Sequence, residues 1–419
     1  MTIYKADPDA FSRWGEAIER ELDLTQALAA DPHLTRSFRL ISAQEFLELT
    51  GATSWQWKLF TKTLREEGRL PPSPNNHLRV TLEQVHEYME ATGRRPQRPD
   101  GVPRAIRIAI ANLKGGASKS TTVFHFGSRL AMRGYRVLLI DLDGQATLTR
   151  MCGFQPYLIN SEQTFAAAIG MQDDEAGNVT IGDPVPLAPT KTHISGLDLI
   201  PAGMAVTSID LELMQHIKTG SADKVGPMFE AALGAIDEDY DFVLMDFQPS
   251  FSLSQMLLLW LADSLVIPVP TETPDFAGTG DFLKLSGHWL SELSGLFGHK
   301  TFDPVLAIHA RSKVRASLPD GKLSDKEKAE IEEQLEVSNA VAGASGRVFG
   351  VHRPLALIED RPVVAACLAN LKSVFEAEAS DYDMRAIKIA RQQYDALLDR
   401  VLEAVHLRWQ EVIASEGYV

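Results

Sequence analysis

Lys114-Gly115-Gly116-Ala117-Ser118-Lys119-Ser120-Thr121-Thr122, or KGGASKSTT, is the stretch on which the reading of this chain turns. The apolar run RAIRIAIANL (104–113) precedes it and reads as a strand, and TTVFHFGSRLAMRG (121–134) follows with helical spacing. A glycine-rich turn between a strand and a helix brings backbone N–H groups close to an anion. The helix N-terminus adds partial positive charge, and a lysine just inside the helix supplies a full one. In that pattern Gly115, Gly116, Ala117 and Ser118 form the cradle and Thr121 lies in the first turn. Lys119 faces the β and γ phosphates of a nucleotide, and Ser120 becomes a ligand for Mg²⁺.

Outward from this segment, strands and helices alternate. YRVLLIDLD (135–143), GLDLIPA (196–202), YDFVLMDF (240–247) and SLVIPVP (264–270) are short apolar strands. The rhythm predicts an α/β fold with a mostly parallel sheet covered by helices on both faces. Asp141 and Asp143 end one strand and Asp246 another, which puts carboxylates at the sheet edge where folds of this kind bind ligands. Any one of them could equally cap a helix.

The series KGGASKST, DLDGQATLT and DFVLMDFQPS, in that order, resembles the deviant Walker A, switch I and switch II motifs of the ParA/MinD group of P-loop ATPases. The likeness runs over roughly residues 104 to 405. It implies ATP and Mg²⁺ as ligands and a homodimer on ATP binding, with Lys114 reaching the phosphates of the partner's ATP. It also makes Lys119 the in-line phosphate lysine, Asp143 the acid that positions water and lies near the metal, and Asp246 the Walker B acid. Ser120, Asp143 and Asp246 are then the expected metal-site residues, and Pro270 joins the nucleotide-binding set. Three departures stand out: Ser118 where the family commonly has Gly, Gly144 where it commonly has Pro, and FQPSFS in place of a Thr-Pro-Pro segment.

Residues 41–91 read as helix-turn-helix: a capping box at Ser42 and Glu45, a turn at Thr50-Gly51, a second helix from Ser54, and a third from Thr81. The second helix would present Gln56, Lys58, Thr61, Lys62 and Arg65 to DNA and pack through Trp55, Trp57, Phe60 and Leu64. A winged variant would add His77 and Arg79. TGRRPQRPDGVP (92–103) reads as a basic linker, and with Arg104 and Arg107 it is either solvated or a local DNA contact. Four regions result: an N-terminal helical extension (1–40), a winged helix-turn-helix domain (41–91), the linker (92–103) and the ATPase domain (104–419). Residues 9–30 carry apolar positions at helical spacing.

The arrangement, with LIPAGMAVTSIDLEL (199–213) and the segment 371–401, looks like the larger plasmid-type ParA proteins, including the RepA partner of repABC replicons. That implies a slow ATPase stimulated by partners, a ParB-like centromere-binding protein and a nucleoid-associated cytoplasmic location. In this group basic residues such as Arg311, Lys313 and Arg315 would hold nonspecific DNA; the other reading of those three is a solvated loop. The alternative function is an ATP-switched DNA-binding regulator with little hydrolysis.

Bulk properties narrow the field. A formal charge of −15 excludes a chain that coats nucleic acid over its whole surface, so any DNA contact must be local. Cys152 and Cys367 are the only cysteines and imply neither a disulfide framework nor a zinc site. No run of 18 apolar residues is present, and the amphipathic C-terminal stretch 394–419 is mixed in charge. It reads as a packing helix, with no membrane role.

Overall fold

The computed structural model describes residues 36–72, 77–174, 179–218, 222–270, 273–298, 300–302, 305–310, 356–358 and 361–415, with a few single positions between them. The chain divides into two units, Met1–Ser37 and Phe38–Val419. In the first, Arg13, Gly15, Ala17 and Ile18 are helical and exposed, and most of the helix expected over 9–30 lies outside the described residues.

The second unit opens with β1 (Ile41–Ser42), α1 (Ala43–Thr50), α2 (Ser54–Glu66), β2 (Arg79–Val80) and α3 (Leu82–Ala91). All three helices begin with a complete capping box, Ser42/Glu45, Thr53/Gln56 and Thr81/Gln84. In each, two orphan N–H groups are satisfied reciprocally. β1 and β2 pair antiparallel.

The α/β body follows: β3 (Ile106–Ile110), α4 (Lys119–Met132), β4 (Val137–Leu142), α5 (Thr147–Met151), β5 (Met171–Asp173), β6 (Val179–Ile181), β7 (Thr190–Lys191) and β8 (Leu197–Ile200). It continues through α6 (Ile209–Lys218), α7 (Ala222–Asp237), β9 (Phe242–Phe247), α8 (Leu253–Leu261), β10 (Ser264–Pro270), α9 (Thr273–Phe297) and β11 (Val305–Ala310). β12 (Ala356–Ile358), α10 (Pro362–Ala369) and α11 (Met384–Ser415) complete it. Eight strands form one sheet in the order β12-β11-β10-β3-β9-β4-β8-β7. Every neighbouring pair is parallel except β7 with β8, an antiparallel edge that the sequence pattern did not signal.

Burial follows strand period. Ile106, Ile108 and Ile110 enter the core on one face of the sheet and Ala105, Ala109 and Ala111 the core on the other; β4 divides Val137 and Leu139 from Leu138, Ile140 and Leu142 in the same way. The first core is continuous with the N-terminal helices, since Phe46, Trp57, Leu64, Val85 and Met89 belong to the same cluster as Leu130, Tyr135 and Phe242. The C-terminal stretch packs there too, through Leu397, Leu398, Val401, Val405 and Trp409 of α11.

Of the arginines in the basic run 94–107, Arg95, Arg98, Arg104 and Arg107 are engaged by groups of the fold, whereas Arg94 is exposed. Arg107 is wholly buried and bridges Glu230 (2.7 Å) and Asp237 (2.5 Å). Arg104 forms a two-pronged pair with Asp263, at 2.7 Å on each prong. Arg95 donates to the Gly134 carbonyl, and the Arg98 N–H to Asp241. The sequence shows a cluster of cations but hides their acids, which lie more than a hundred residues away.

Candidate active site

Parallel register sets the site. Ile110 of β3 and Asp141 of β4 both stand opposite Asp246 of β9, so the glycine-rich loop and the two acidic strand ends leave the sheet at one carboxyl edge. Asn112, which sequence reasoning passed over, pins the loop. Its amide donates to the Pro268 carbonyl (2.7 Å) and the Thr279 hydroxyl (2.9 Å), and its oxygen accepts the Lys114 N–H. The loop is thereby tied to β10 and α9, next to the strand that ends at Pro270.

Gly116 and Ser118 both adopt left-handed backbone, with φ of 75° and 61°. Lys114, Gly115 and Gly116 are exposed, whereas Lys119 is buried and folds back so that Nζ donates to the Lys114 carbonyl (3.0 Å). Burial lowers the Lys119 pKa, while Asp246 and Asp143 oppose the shift, which places all three in one electrostatic site. An added Cβ at Gly115 would stand 4.0 Å from the ring of Pro249, so the segment after β9 lies beside the loop.

Asp246 is buried, and its carboxylate has no partner in full hydrogen-bond geometry, with the Ser120 hydroxyl the group that approaches it. Burial and the neighbouring Asp141 push its pKa well above the ordinary carboxylate range, against the pull of Ser120 and Lys119. Unsatisfied buried carboxylates are rare and costly. A hard cation beside Ser120 and Asp246 would answer both the charge and the empty lone pairs, so these residues fit Mg²⁺. Among the described residues no group of three or more His, Cys, Asp or Glu side chains could hold a metal ion.

The two switch I acids have different roles. Asp141 is buried and accepts from the Thr149 N–H (2.8 Å), the Thr149 hydroxyl (2.7 Å) and the Asp143 N–H (3.1 Å), an internal anchor. Burial raises its pKa to about 6. Asp143 is half-buried and uses one oxygen to hold the Gln145 N–H (2.9 Å). Three residues on, Ala146 is again left-handed, with φ of 51°.

His125, a second residue that sequence reasoning missed, connects this edge to the C-terminal region. It is fully buried. Nδ1 donates to the Thr121 carbonyl (2.7 Å), Nε2 accepts the Val374 N–H (3.2 Å), and the ring stacks on Tyr394 at 4.3 Å. Those partners fix the neutral tautomer, and burial lowers its pKa to about 4.

Residues 105–288 match a family model described as "AAA domain". The chain is 27% identical over 293 residues to "Putative replication protein A" of Sinorhizobium fredii, covering 67% of this chain and 69% of that one. It is 28% identical over 288 residues to "Protein SopA" of Escherichia coli (66% and 68%). It is 32% identical over 176 residues to "Sporulation initiation inhibitor protein Soj" of Bacillus subtilis (42% and 62%). A solved structure titled "Partition Protein" superposes with a TM-score of 0.59 at 16% identity, covering 96% of this chain and 98% of that one, and so shares the fold. The chain carries an AAA-type P-loop domain similar to those of these relatives.

Two departures from the ParA/MinD pattern acquire physical content. Ser118 sits in the left-handed region that the family's glycine occupies without strain. At Gly144 an added Cβ would stand 2.2 Å from Thr207 Cγ2, so a side chain there collides with this chain's own residue 207.

The candidate DNA residues do not gather in one place. Lys58 and Lys62 are exposed on α2, where Lys62 lies 3.7 Å from Glu66. Gln56 is engaged in capping, accepting the Thr53 N–H at 2.9 Å. Arg79 pairs with Glu378 at 3.4 Å. Thr61, expected to face outward, is 2% exposed and bonds back to the Trp57 carbonyl, while Trp55, expected to pack, is 69% exposed. The buried stripe runs 57, 61, 64 and leaves position 55 on the opposite side. Arg311, Lys313 and Arg315 lie outside the described residues.

Proposed function

We propose that the chain is a ParA-type partition ATPase that binds and slowly hydrolyses ATP, dimerises around the nucleotide on DNA, and moves a replicon with a ParB-like partner. The observation that carries this reading is the convergence of Lys114, Lys119, Ser120, Asp143 and Asp246 at one sheet edge. A buried lysine beside a buried carboxylate, with a second lysine in the same loop, suits a triphosphate with its cation. The curated relatives, named for replication and sporulation control and including SopA, support a role in maintaining DNA.

Phosphoryl transfer is mainly positioning and charge neutralisation. Lys119 leaves the Lys114 carbonyl to meet the β and γ phosphates. Ser120 and Asp246 would hold Mg²⁺, which supplies neutralising charge at those phosphates when bound. Asp143, the more accessible acid, orients the attacking water, while Asp141 fixes the loop that carries it. Lys114, at the exposed mouth, serves the second subunit's nucleotide. Outward Lys58 and Lys62, with Arg311, Lys313 and Arg315, are the proposed DNA contacts, and the reading places the protein on the nucleoid with no membrane contact. Among the described residues no helix is long and apolar enough to cross a bilayer.

Sedimentation with ATP, ADP or no nucleotide, with and without duplex DNA of unrelated sequence, tests the assembly. The expected result is a dimer with ATP alone among the three, DNA-bound, and lost in Lys114→Ala. A monomer under all conditions, or a dimer indifferent to nucleotide, contradicts it.

A further inference from the structure

Away from the P-loop, α1, the C-terminal half of α4 and α11 enclose a cavity of about 750 Å³, within the roughly 300–1,000 Å³ of small-molecule sites. Six cationic side chains line it, Arg39, Arg94, Arg129, Arg133, Lys388 and Arg391, against three carboxylates, Glu45, Glu48 and Asp395. The lining thus carries three more positive than negative charges, or two more if Asp399, which holds Arg133 from outside, is counted. In a chain of formal charge −15 this local excess runs against the whole.

The cations fall into two sets. Arg39 pairs with Glu45 (2.5 Å), and Arg129 and Arg133 share Asp395 (2.6 and 2.9 Å). Among the described residues, Arg94, Lys388 and Arg391 hydrogen-bond to no carboxylate. Arg391 is the most telling. Its guanidinium is held by the carbonyls of Val374 (2.8 Å), Phe375 (3.3 Å) and Ala377 (2.8 Å), fixed in place without a carboxylate hydrogen bond. Burial and the neighbouring Arg39 and Arg129 pull its pKa down to about 10, against the opposing charge of Glu45. His406, the remaining titratable group on the wall besides Tyr135, has its pKa lowered by burial and adds no charge near neutral pH.

We infer that this cavity is a second anion site, built for a phosphate-bearing small molecule with at least two negative charges, such as a nucleoside polyphosphate or an inorganic polyphosphate. Arginine forks bind phosphate oxygens in pairs, and Arg94 and Lys388 lie at the exposed rim where they can close on the ligand. The site is wired to the P-loop helix. Arg391 holds the Val374 carbonyl, the Val374 N–H reaches His125, and His125 reaches Thr121 in the first turn of α4.

Calorimetric titration of the full chain with tripolyphosphate and, separately, ATP tests this in a Lys119→Ala background that disables the P-loop. One tripolyphosphate should bind per chain, and Arg94→Glu with Lys388→Glu, both at exposed positions, should weaken it about tenfold or more, with circular dichroism reading whether each variant keeps its fold and Lys388→Glu alone serving as the test if Arg94→Glu does not. Tighter binding of ATP than of tripolyphosphate assigns the site to nucleotides; equal binding assigns it to the phosphate chain alone. No binding of either anion up to about 1 mM, or binding indifferent to the charge reversals, overturns the inference. So does a charge reversal that weakens only duplex DNA binding, which would make the cavity a nucleic-acid contact.

Discussion

Ser118 and Gly144 exchange the roles that glycine plays in the family pattern. A non-glycine residue in left-handed backbone costs about 1–2 kcal/mol, and glycine returns part of that as unfolded-state entropy. Ser118→Gly should therefore raise stability by roughly 0.5–1 kcal/mol, read as a higher urea midpoint at constant slope. No gain would mean that the left-handed φ at 118 carries no strain. Gly144 meets a different limit, the methyl of Thr207. Gly144→Ala should destabilise by about 1–3 kcal/mol, and Thr207→Ser, which removes Cγ2 and keeps the hydroxyl bonded to the Met204 carbonyl (2.6 Å), should restore most of the loss. Additive effects in that double-mutant cycle would break the proposed contact. The motif letters were readable in the sequence, but the reason for each departure lay in φ and in a residue, Thr207, far along the chain from Gly144.

At the scale of elements, α4 carries both the phosphate lysine and His125, whose neutral ring ties Thr121 to Val374. Its folded pKa of about 4 lies below the unfolded value of 6.5. Between those values the unfolded state binds the extra proton. His125 therefore contributes stability that is intact above pH 6.5 and lost as pH falls toward 4, at up to about 1.4 kcal/mol per pH unit. His86, buried and also near 4, acts in the same direction, whereas Asp141, with its pKa raised to about 6, acts in the opposite one. The test is the difference between wild type and His125→Gln: the wild-type stability should fall more steeply from pH 6.5 to 4, and parallel curves would contradict the assignment. On the other face of the sheet, Arg107→Leu strands Asp237 in the core and should cost about 3–5 kcal/mol by urea denaturation. A loss below about 1 kcal/mol would mean the pair is dispensable. Apolar strands and capping boxes are local signals and were legible. Arg104, Arg107, Asn112 and His125 act through partners far along the chain, and no local pattern announces them.

For the whole molecule, the core that runs from Phe46, Trp57 and Val85 into Leu130, Tyr135 and Phe242 binds residues 38–103 to the nucleotide-binding body. A linker with independent domains on either side would give two thermal transitions. Shared burial predicts one for the segment 38–415, with hydrogen exchange in α1 to α3 following the sheet. Composition and strand rhythm made the fold class legible. They could not show that the arginine-rich run closes the N-terminal helices onto the body, because its acids, Asp237, Asp241 and Asp263, read in sequence as ordinary strand flanks. The function proposed for the assembled molecule stands on the phosphate site, and ATP turnover by the purified chain, with and without nonspecific duplex DNA, tests that site most directly beside Lys119→Ala and Asp143→Ala. The account predicts slow turnover that DNA stimulates and both substitutions abolish, with Asp143→Ala still binding ATP; ATP binding without turnover, or turnover that survives Asp143→Ala, would contradict it.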